Sequence, residues 1–412
     1  MFPYLPYSLM PLLHYFNPGH ETAVLNGSPY YRAPARILRM HRDLALLPAW
    51  YAAPEDYILT ENPGDTGFIR ALTERFGPFA TPLTAREAAA KAKALPRAIA
   101  SPWGWSPQSV HRYETWKEET GWHSLVIQPY DEAYARLCAR QTAALCLRSL
   151  LGVLPEPDKT ILPRFRSSLE EIEELVATGK KPLVLKAPYS SSGRGLRWIS
   201  GPVTEPDRTW MAGIVKKQGS ISIEPALDKQ ADFAMEFFSD GQGRVSFEGL
   251  SLFRTTQRGN YEGNFVGSQE EIARRLAPFV DSELLEEIKA ASEACLSDVA
   301  GYLYTGYIGV DMLIYNDGQG AFRLHPCVEI NMRRTMGTTA LYISRHWLAP
   351  GSRGQFRIAY HAMPGEAYAK HLECAAAYPE VIRNGKLQSG YLSLCPVTET
   401  TCYTASLLVN EG

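Results

Sequence analysis

Two hydrophobic periodicities take turns in the N-terminal third of the chain. Residues 12–16 and 57–60 are apolar runs of strand length. Residues 66–76 place Phe68, Leu72 and Phe76 at helical spacing, and 85–95 reads as a further helix before the run 98–101. Strand and helix alternating in this way predict a small doubly wound α/β domain over residues 1–130. Its first strand breaks at Asn17-Pro-Gly-His-Glu21, a polar turn placed where α/β sheets hold ligand loops. His20 and Glu21 are a candidate substrate pair there, beside the plainer reading of a turn that ends a strand. Trp103 and Trp105 flank a glycine after the last run and read as packing at the domain edge, beside the alternative that they face the cleft.

From residue 131 the pattern changes. A helical repeat over 131–151, closed by Gly152, runs into Leu154-Pro-Glu-Pro157, which forces an extended linker. Ser167 with Glu170 reads as the capping box of a helix that Gly179 ends, so the glutamates of that helix form a solvated face. Runs at 183–186 and 196–199 read as strands, and 233–238 and 245–253 form a hairpin around Asp240-Gly-Gln-Gly243. The spacing over 282–300 predicts a helix with Leu284, Ile288, Ala291, Cys295 and Val299 on one face. Beyond Gly337 the signal thins to a helix over 366–377 and a closing strand pair, 390–396 with 403–409.

Candidate chemistry concentrates first in Lys181-Pro-Leu-Val-Leu-Lys-Ala-Pro-Tyr-Ser-Ser-Ser-Gly-Arg-Gly-Leu-Arg-Trp198. Leu183, Val184 and Leu185 read as an interior strand, and Lys186 at its end needs an anionic partner, because an unpaired charge is not carried into an apolar interior. Ser190, Ser191, Ser192, Gly193 and Gly195 let the backbone bend close to a ligand and offer N–H and O–H donors. Arg194 adds a fork suited to phosphate oxygens. The Walker A order is absent, and 196–199 reads as strand rather than helix. A polyphosphate clamp and a surface hairpin turn both fit this composition.

A second constellation lies in Tyr307–Tyr315 and Arg323–Arg333, strands on either side of a Gly-rich turn. Asp311 sits inside an apolar run. Glu329 and Asn331 share one strand face, while Val328 and Ile330 point into the core. Mg²⁺ takes oxygen ligands and usually only one or two carboxylates from a protein, so Asp311, Glu329 and Asn331 are candidate metal ligands, with Arg333 reaching the phosphate that the metal carries. Register decides whether Asp311 meets Glu329, and Pro326 predicts a bulge that sets it. The competing reading is a strand pair with a polar outer face. Upstream, Arg254 and Arg258 lie in a polar Gly-containing stretch that suits either a loop over an acidic substrate or an ordinary connection.

This order of parts resembles the ATP-grasp superfamily over residues 151–337: a strand lysine, a Ser/Gly loop, an acid-Pro hinge at Glu224-Pro225, a G-x-x-G-x-D strand and an E-x-N-x-R strand. The resemblance implies α+β subdomains clasping ATP, over 131–230 and 231–412, behind an N-terminal α/β domain. It implies that Lys186, Ser192, Gly193, Arg194 and Gly195 hold the ATP phosphates and that Asp311, Glu329 and Asn331 hold Mg²⁺, with Mn²⁺ as an alternative. Residues 223–227 resemble the adenine hinge, with Glu224 or Asp232 for the ribose hydroxyls. A second phosphate cation has no sharp match; Arg140, Lys159, Arg164 and Arg166 are the candidates. The implied activity is a ligase joining a carboxylate to an amine through an acyl phosphate, with Lys186 and Arg333 stabilising the transferred phosphoryl group. A small-molecule kinase and a non-catalytic nucleotide-binding protein use the same parts.

Composition narrows the partners. With 412 residues, 45% hydrophobic and 21% charged, the chain has the make-up of a multidomain globular protein. A net charge of −2 gives no footprint for nucleic acid. The cysteines are odd in number, scattered and without a C-x-x-C pair, which points to reduced thiols. The apolar start lacks a basic n-region and a cleavage pattern, and no stretch has the length of a membrane span, so a cytoplasmic location is expected.

Overall fold

The computed structural model describes residues 10–180, 182–190, 195–256 and 259–410. The chain divides into two compact units: Met1–Tyr130 with Gly263–Ser268 and Thr339–Gly412, and Asp131–Glu262 with Gln269–Thr338.

In the first unit β1 (Leu12–Tyr15), β2 (Tyr57–Leu59), β3 (Thr81–Leu83), β4 (Ala98–Pro102) and β5 (Leu125–Val126) form a sheet in the order β3-β2-β1-β4-β5. Every pairing in it is parallel, as the alternating pattern predicts. The helices Asp65–Phe76, Ala85–Lys91 and Pro107–Thr120 link its strands, and Trp103 and Trp105 are buried. A second aromatic core gathers Trp50, Phe76, Phe79 and Trp347, with Phe79 stacked on Trp347 at 4.4 Å between centroids.

In the second unit β6 (Arg164–Arg166), β7 (Leu183–Lys186), β8 (Leu196–Ile199) and β9 (Ile221–Pro225) make an antiparallel sheet ordered β6-β9-β7-β8. The helices Leu169–Thr178 and Glu205–Gln218 pack on it through Ile172, Val176 and Met211, which meet Leu183, Leu185 and Ile223. A longer antiparallel set follows: β10 (Asp228–Asp240), β11 (Val245–Thr255) and, after β12 (Tyr261–Val266), β13 (Thr305–Asn316) and β14 (Phe322–Asn331). Its order within this unit is β14-β13-β10-β11. Residues Gly263–Val266 of β12 pair with β15 (Arg353–Tyr360) in the first unit. There β16 (Val381–Arg383), β17 (Lys386–Ser393) and β18 (Tyr403–Asn410) complete the order β15-β18-β17-β16.

Three local expectations are corrected. The helix expected over 131–151 is two helices, Glu132–Leu137 and Arg140–Leu150. The chain breaks between them because the Arg140 N–H donates to Pro188 O at 3.1 Å, and Thr142 Oγ1 donates to the Arg136 carbonyl at 2.8 Å. The cap of the next helix is Ser168, whose Oγ accepts from Glu171 N at 3.3 Å, not Ser167. Both frames fit Ser-x-x-Glu, and burial of Ile172 and Val176 selects the later one. On Ser282–Ala300 the buried face is Leu285, Ile288, Ser292, Leu296 and Ala300, one residue on from the expected stripe except at Ile288. The seven cysteines are all free thiols.

Candidate functional site

Lys186 ends β7 as a buried residue, and its counter-anion is supplied by the protein. Its Nζ lies 2.5 Å from Glu224 Oε2, and Ser222 Oγ donates to Glu224 Oε1 at 2.5 Å. Antiparallel pairing of β7 with β9 sets Lys186 opposite Ser222 and Val184 opposite Glu224, so the ion pair is a diagonal one across neighbouring strands. Burial by itself pushes the Glu224 carboxyl up, yet the Lys186 ammonium and the Ser222 hydroxyl hold it below the usual range.

Of the cations considered for a second phosphate contact, Arg140 is the one that reaches this site. It is buried at the start of its helix, with Nε donating to Ala187 O at 3.0 Å and Nη2 to Ser190 Oγ at 3.2 Å. The same Nη2 lies 3.3 Å from Glu329 Oε1. Arg140 therefore spans from the segment after Lys186 to the acidic strands. The break in the expected long helix is what delivers it, because Arg140 N and Nε bond the consecutive carbonyls of Pro188 and Ala187.

The register of β13 with β14 pairs Asp311 with Glu329 and Gly309 with Asn331. It shifts between Asp311 and Leu313, where Pro326, Cys327 and Val328 stand opposite Met312, which is the bulge expected at Pro326. Burial pushes the Asp311 carboxyl well above the usual range. The charges of Glu329 and Glu236 add to the rise, and Arg333 and Asn331 oppose it. A divalent cation would relieve that repulsion. Asn331 offers a carbonyl oxygen on the same face, where it accepts from Arg333 Nη2 at 3.0 Å. Among the described residues no group of three or more His, Cys, Asp and Glu side chains is arranged to hold a metal. The donor set is thus a carboxylate pair with an amide, which fits an ion that completes its shell from phosphate and water, as Mg²⁺ does.

One cavity of about 390 Å³ in this unit collects Arg140, Lys186, Glu224, Asp232, Asp311 and Glu329 on its walls. Residues 225–228 run along it, and Phe253, Met312 and Leu313 give it an apolar side. Asp232 accepts from Lys229 Nζ and Thr255 Oγ1, each at 2.7 Å. Protein donors therefore already engage it. His325, which the sequence did not single out, lines the same cavity as a buried imidazole. Burial and the Lys186 charge pull its pKa down to about 4, so it is neutral.

The other expected site residues fall elsewhere. Asn331 and Arg333 follow Glu329 but do not line the cavity. Gly195 closes the base of the expected clamp by accepting from Ala187 N at 2.9 Å. Arg254 is exposed on β11. His20 and Glu21 open the helix His20–Asn26 in the first unit, where His20 is buried against Gly104. Ser192, Gly193, Arg194 and Arg258 lie outside the described residues.

Behind the acidic strands Glu236 braces the turn that follows Arg333. Both of its carboxylate oxygens accept from Thr335 Oγ1 at 3.0 Å, and Oε2 also accepts from Thr338 Oγ1 at 3.0 Å. Burial raises its pKa to about 7 despite these bonds. Gly337 passes so close that a Cβ there would stand 2.1 Å from Glu236 Oε1 and 2.4 Å from Ser251 Oγ. Gly337→Ala is accordingly expected to cost about 1–3 kcal/mol through overpacking. Chemical denaturation checks this, and an unchanged midpoint would show that the first turn of the helix Met336–His346 yields freely.

No protein-family model and no curated protein matches the sequence. Solved structures do. The chain is similar to the biotin carboxylase of Campylobacter jejuni in complex with β-γ-ATP, at 12% identity over 98% of this chain and 88% of that one, with a TM-score of 0.52. It is also similar to the biotin carboxylase domain of the Hydrogenobacter thermophilus 2-oxoglutarate carboxylase, in complex with MgADP, ADP and bicarbonate. There the identity is 11% over 98% of this chain and 86% of that one, with a TM-score of 0.52. At such identities the likeness establishes architecture. The chain has the ATP-grasp fold, with a parallel-sheet N-terminal domain and antiparallel sheets after it, and the resemblance read from its sequence is borne out at that level.

Proposed function

We propose that this chain is an ATP- and Mg²⁺-dependent ligase that joins a carboxylate to an amine through an acyl-phosphate intermediate. The observation that carries the reading is the convergence, in one cavity of the second unit, of Lys186 and Arg140 with the carboxylates of Asp311 and Glu329. Cations and acids lining one cavity suit a ligand that is polyanionic and metal-bound at once. The nucleotides in the two solved structures named above agree with it.

In this reading Lys186 and Arg140 hold phosphate oxygens. Both are preorganised, Lys186 by Glu224 and Arg140 by the carbonyl of Ala187, so little reorganisation is needed as charge shifts during transfer. Asp311 and Glu329, with the oxygen of Asn331, would hold Mg²⁺, which would neutralise phosphate charge. Residues 224–227 and the apolar side of the cavity take the base, and Asp232 the ribose. Arg333, tied to Asn331, places a further guanidinium beside the ion's ligands. The test is to incubate the protein with ATP, Mg²⁺ and pooled carboxylic acids and amines, following phosphate release and new products by mass spectrometry. An amide formed with stoichiometric phosphate supports the ligase, and a phosphorylated alcohol would replace it with a kinase. No ATP-dependent product from broad pools would overturn catalysis.

A further inference from the structure

The geometry points to a second ligand site, in the first unit, that binds a small organic oxyanion, a carboxylate or a phosphate ester, and that functions independently of the nucleotide cavity. A cavity of about 470 Å³ opens at the carboxyl ends of the parallel strands. The sheet order places β1 between β2 and β4, so the chain leaves β1 toward one side and later returns to pair on the other. Ligands of open α/β sheets bind at that reversal. Its walls come from the segments that follow these strands: Asn17, Pro18 and Gly19 after β1, Glu61 after β2, and Gln108 and Arg112 on the helix after β4. Asn17 ties two of these loops together, donating from Nδ2 to Gly104 O at 2.7 Å and accepting from Gly104 N at 3.1 Å.

The charge on those walls is one-sided. Arg32, Arg39, Arg42 and Arg112 face a single lining carboxylate, Glu61. Arg42 is committed to Asp43 at 2.8 Å, and Arg112 lies 3.2 Å from Glu61, whose side chain is 70% exposed. An ion pair that open to water holds its cation weakly, so an arriving anion can take Arg112 over. Arg32 and Arg39 have no acidic partner among the described residues. Exposed arginines on a convex surface would need no ligand. Here they rim a concave site that the buried Tyr15 also lines, together with Gln108 and Arg112 itself. Beside it His41 packs edge-on to Tyr15 at 4.9 Å and is kept neutral by burial, its pKa near 4. Ile37 and Leu38 give the cavity an apolar wall, which suits an organic anion better than a bare ion. His20 and Glu21, the pair the sequence suggested for a substrate, do not line it.

The test is equilibrium dialysis of the full chain with radiolabelled succinate and, separately, with inorganic phosphate. Saturable binding of one equivalent of either probe is expected, and the tighter probe identifies the carboxylic acid or the phosphate class. Arg112→Gln and Arg39→Gln should each weaken it about tenfold or more, as for loss of a charge-assisted hydrogen bond. Arg39 is exposed, so its variant keeps the fold even where Arg112→Gln disturbs Glu61 and Tyr15. Saturating ATP with Mg²⁺ must leave the binding unchanged, which separates this site from the nucleotide reading. The proposal is overturned by saturable binding of neither probe, by binding that survives both arginine variants, or by binding that saturating ATP with Mg²⁺ displaces.

Discussion

Lys186→Ala is expected to lower stability as well as nucleotide affinity, because it leaves Glu224 buried without its counter-charge. Removing one partner of a buried ion pair costs about 3–5 kcal/mol, several times an exposed pair. Lys186 is 7% exposed and Glu224 also 7%, which puts this pair in the costly class. Lys186→Met with Glu224→Gln removes both charges, keeps most of the volume and leaves Ser222 a neutral acceptor, so it should recover most of the lost stability. Affinity should behave differently. If Lys186 also holds phosphate, neither variant regains ATP binding, and the loss is about 10-fold or more for a charge-assisted contact. Thermal unfolding and ATP titration of both variants therefore separate the two roles. A double variant that is stable and binds ATP like the wild type would reduce Lys186 to a structural cation.

Sequence reasoning located this pair only in part. That Lys186 needs an anion follows from its position at the end of an apolar run, but which anion depends on β9 lying beside β7 with Ser222 opposite Lys186. That pairing is non-local and leaves no mark in local periodicity. Arg140 was missed as a defined contact for a related reason. Its surroundings read as one continuous helix, and the bonds of its N–H to Pro188 and of Thr142 to Arg136 accompany the break, while Ala187 and Ser190 hold the side chain. The acidic strands were more legible because their signal is short-range. An aspartate in an apolar run, a Glu-x-Asn spacing and a proline that forces a bulge fix face and register within a single hairpin. The shifted cap at Ser168 and the rotated face of Ser282–Ala300 show the limit of that approach, since neighbouring frames are degenerate until packing selects one.

Glu329→Gln is expected to abolish most of the Mg²⁺-dependent nucleotide binding while leaving stability close to the wild type. Glu329 is half-buried, facing Asp311 in register and lying 3.3 Å from Arg140. In the absence of metal, removing its charge has opposing effects. Asp311 is relieved of a neighbouring negative charge, which is among the causes holding its carboxyl up, while Arg140 loses a salt-bridge partner but keeps its bonds to Ala187 and Ser190. These partly cancel, so the stability change should stay within about 1 kcal/mol, as for surface and partly exposed charges. With metal the balance is one-sided, because Mg²⁺ takes few carboxylates from a protein and each carries a large share of its affinity. ATP affinity measured across a Mg²⁺ series should then be displaced to higher Mg²⁺ and partly restored by excess metal through mass action. Should wild type and Glu329→Gln show the same Mg²⁺ dependence of ATP binding, the acid pair is not the ion's site, and the ligase reading loses the feature that distinguishes it from a simple anion cleft.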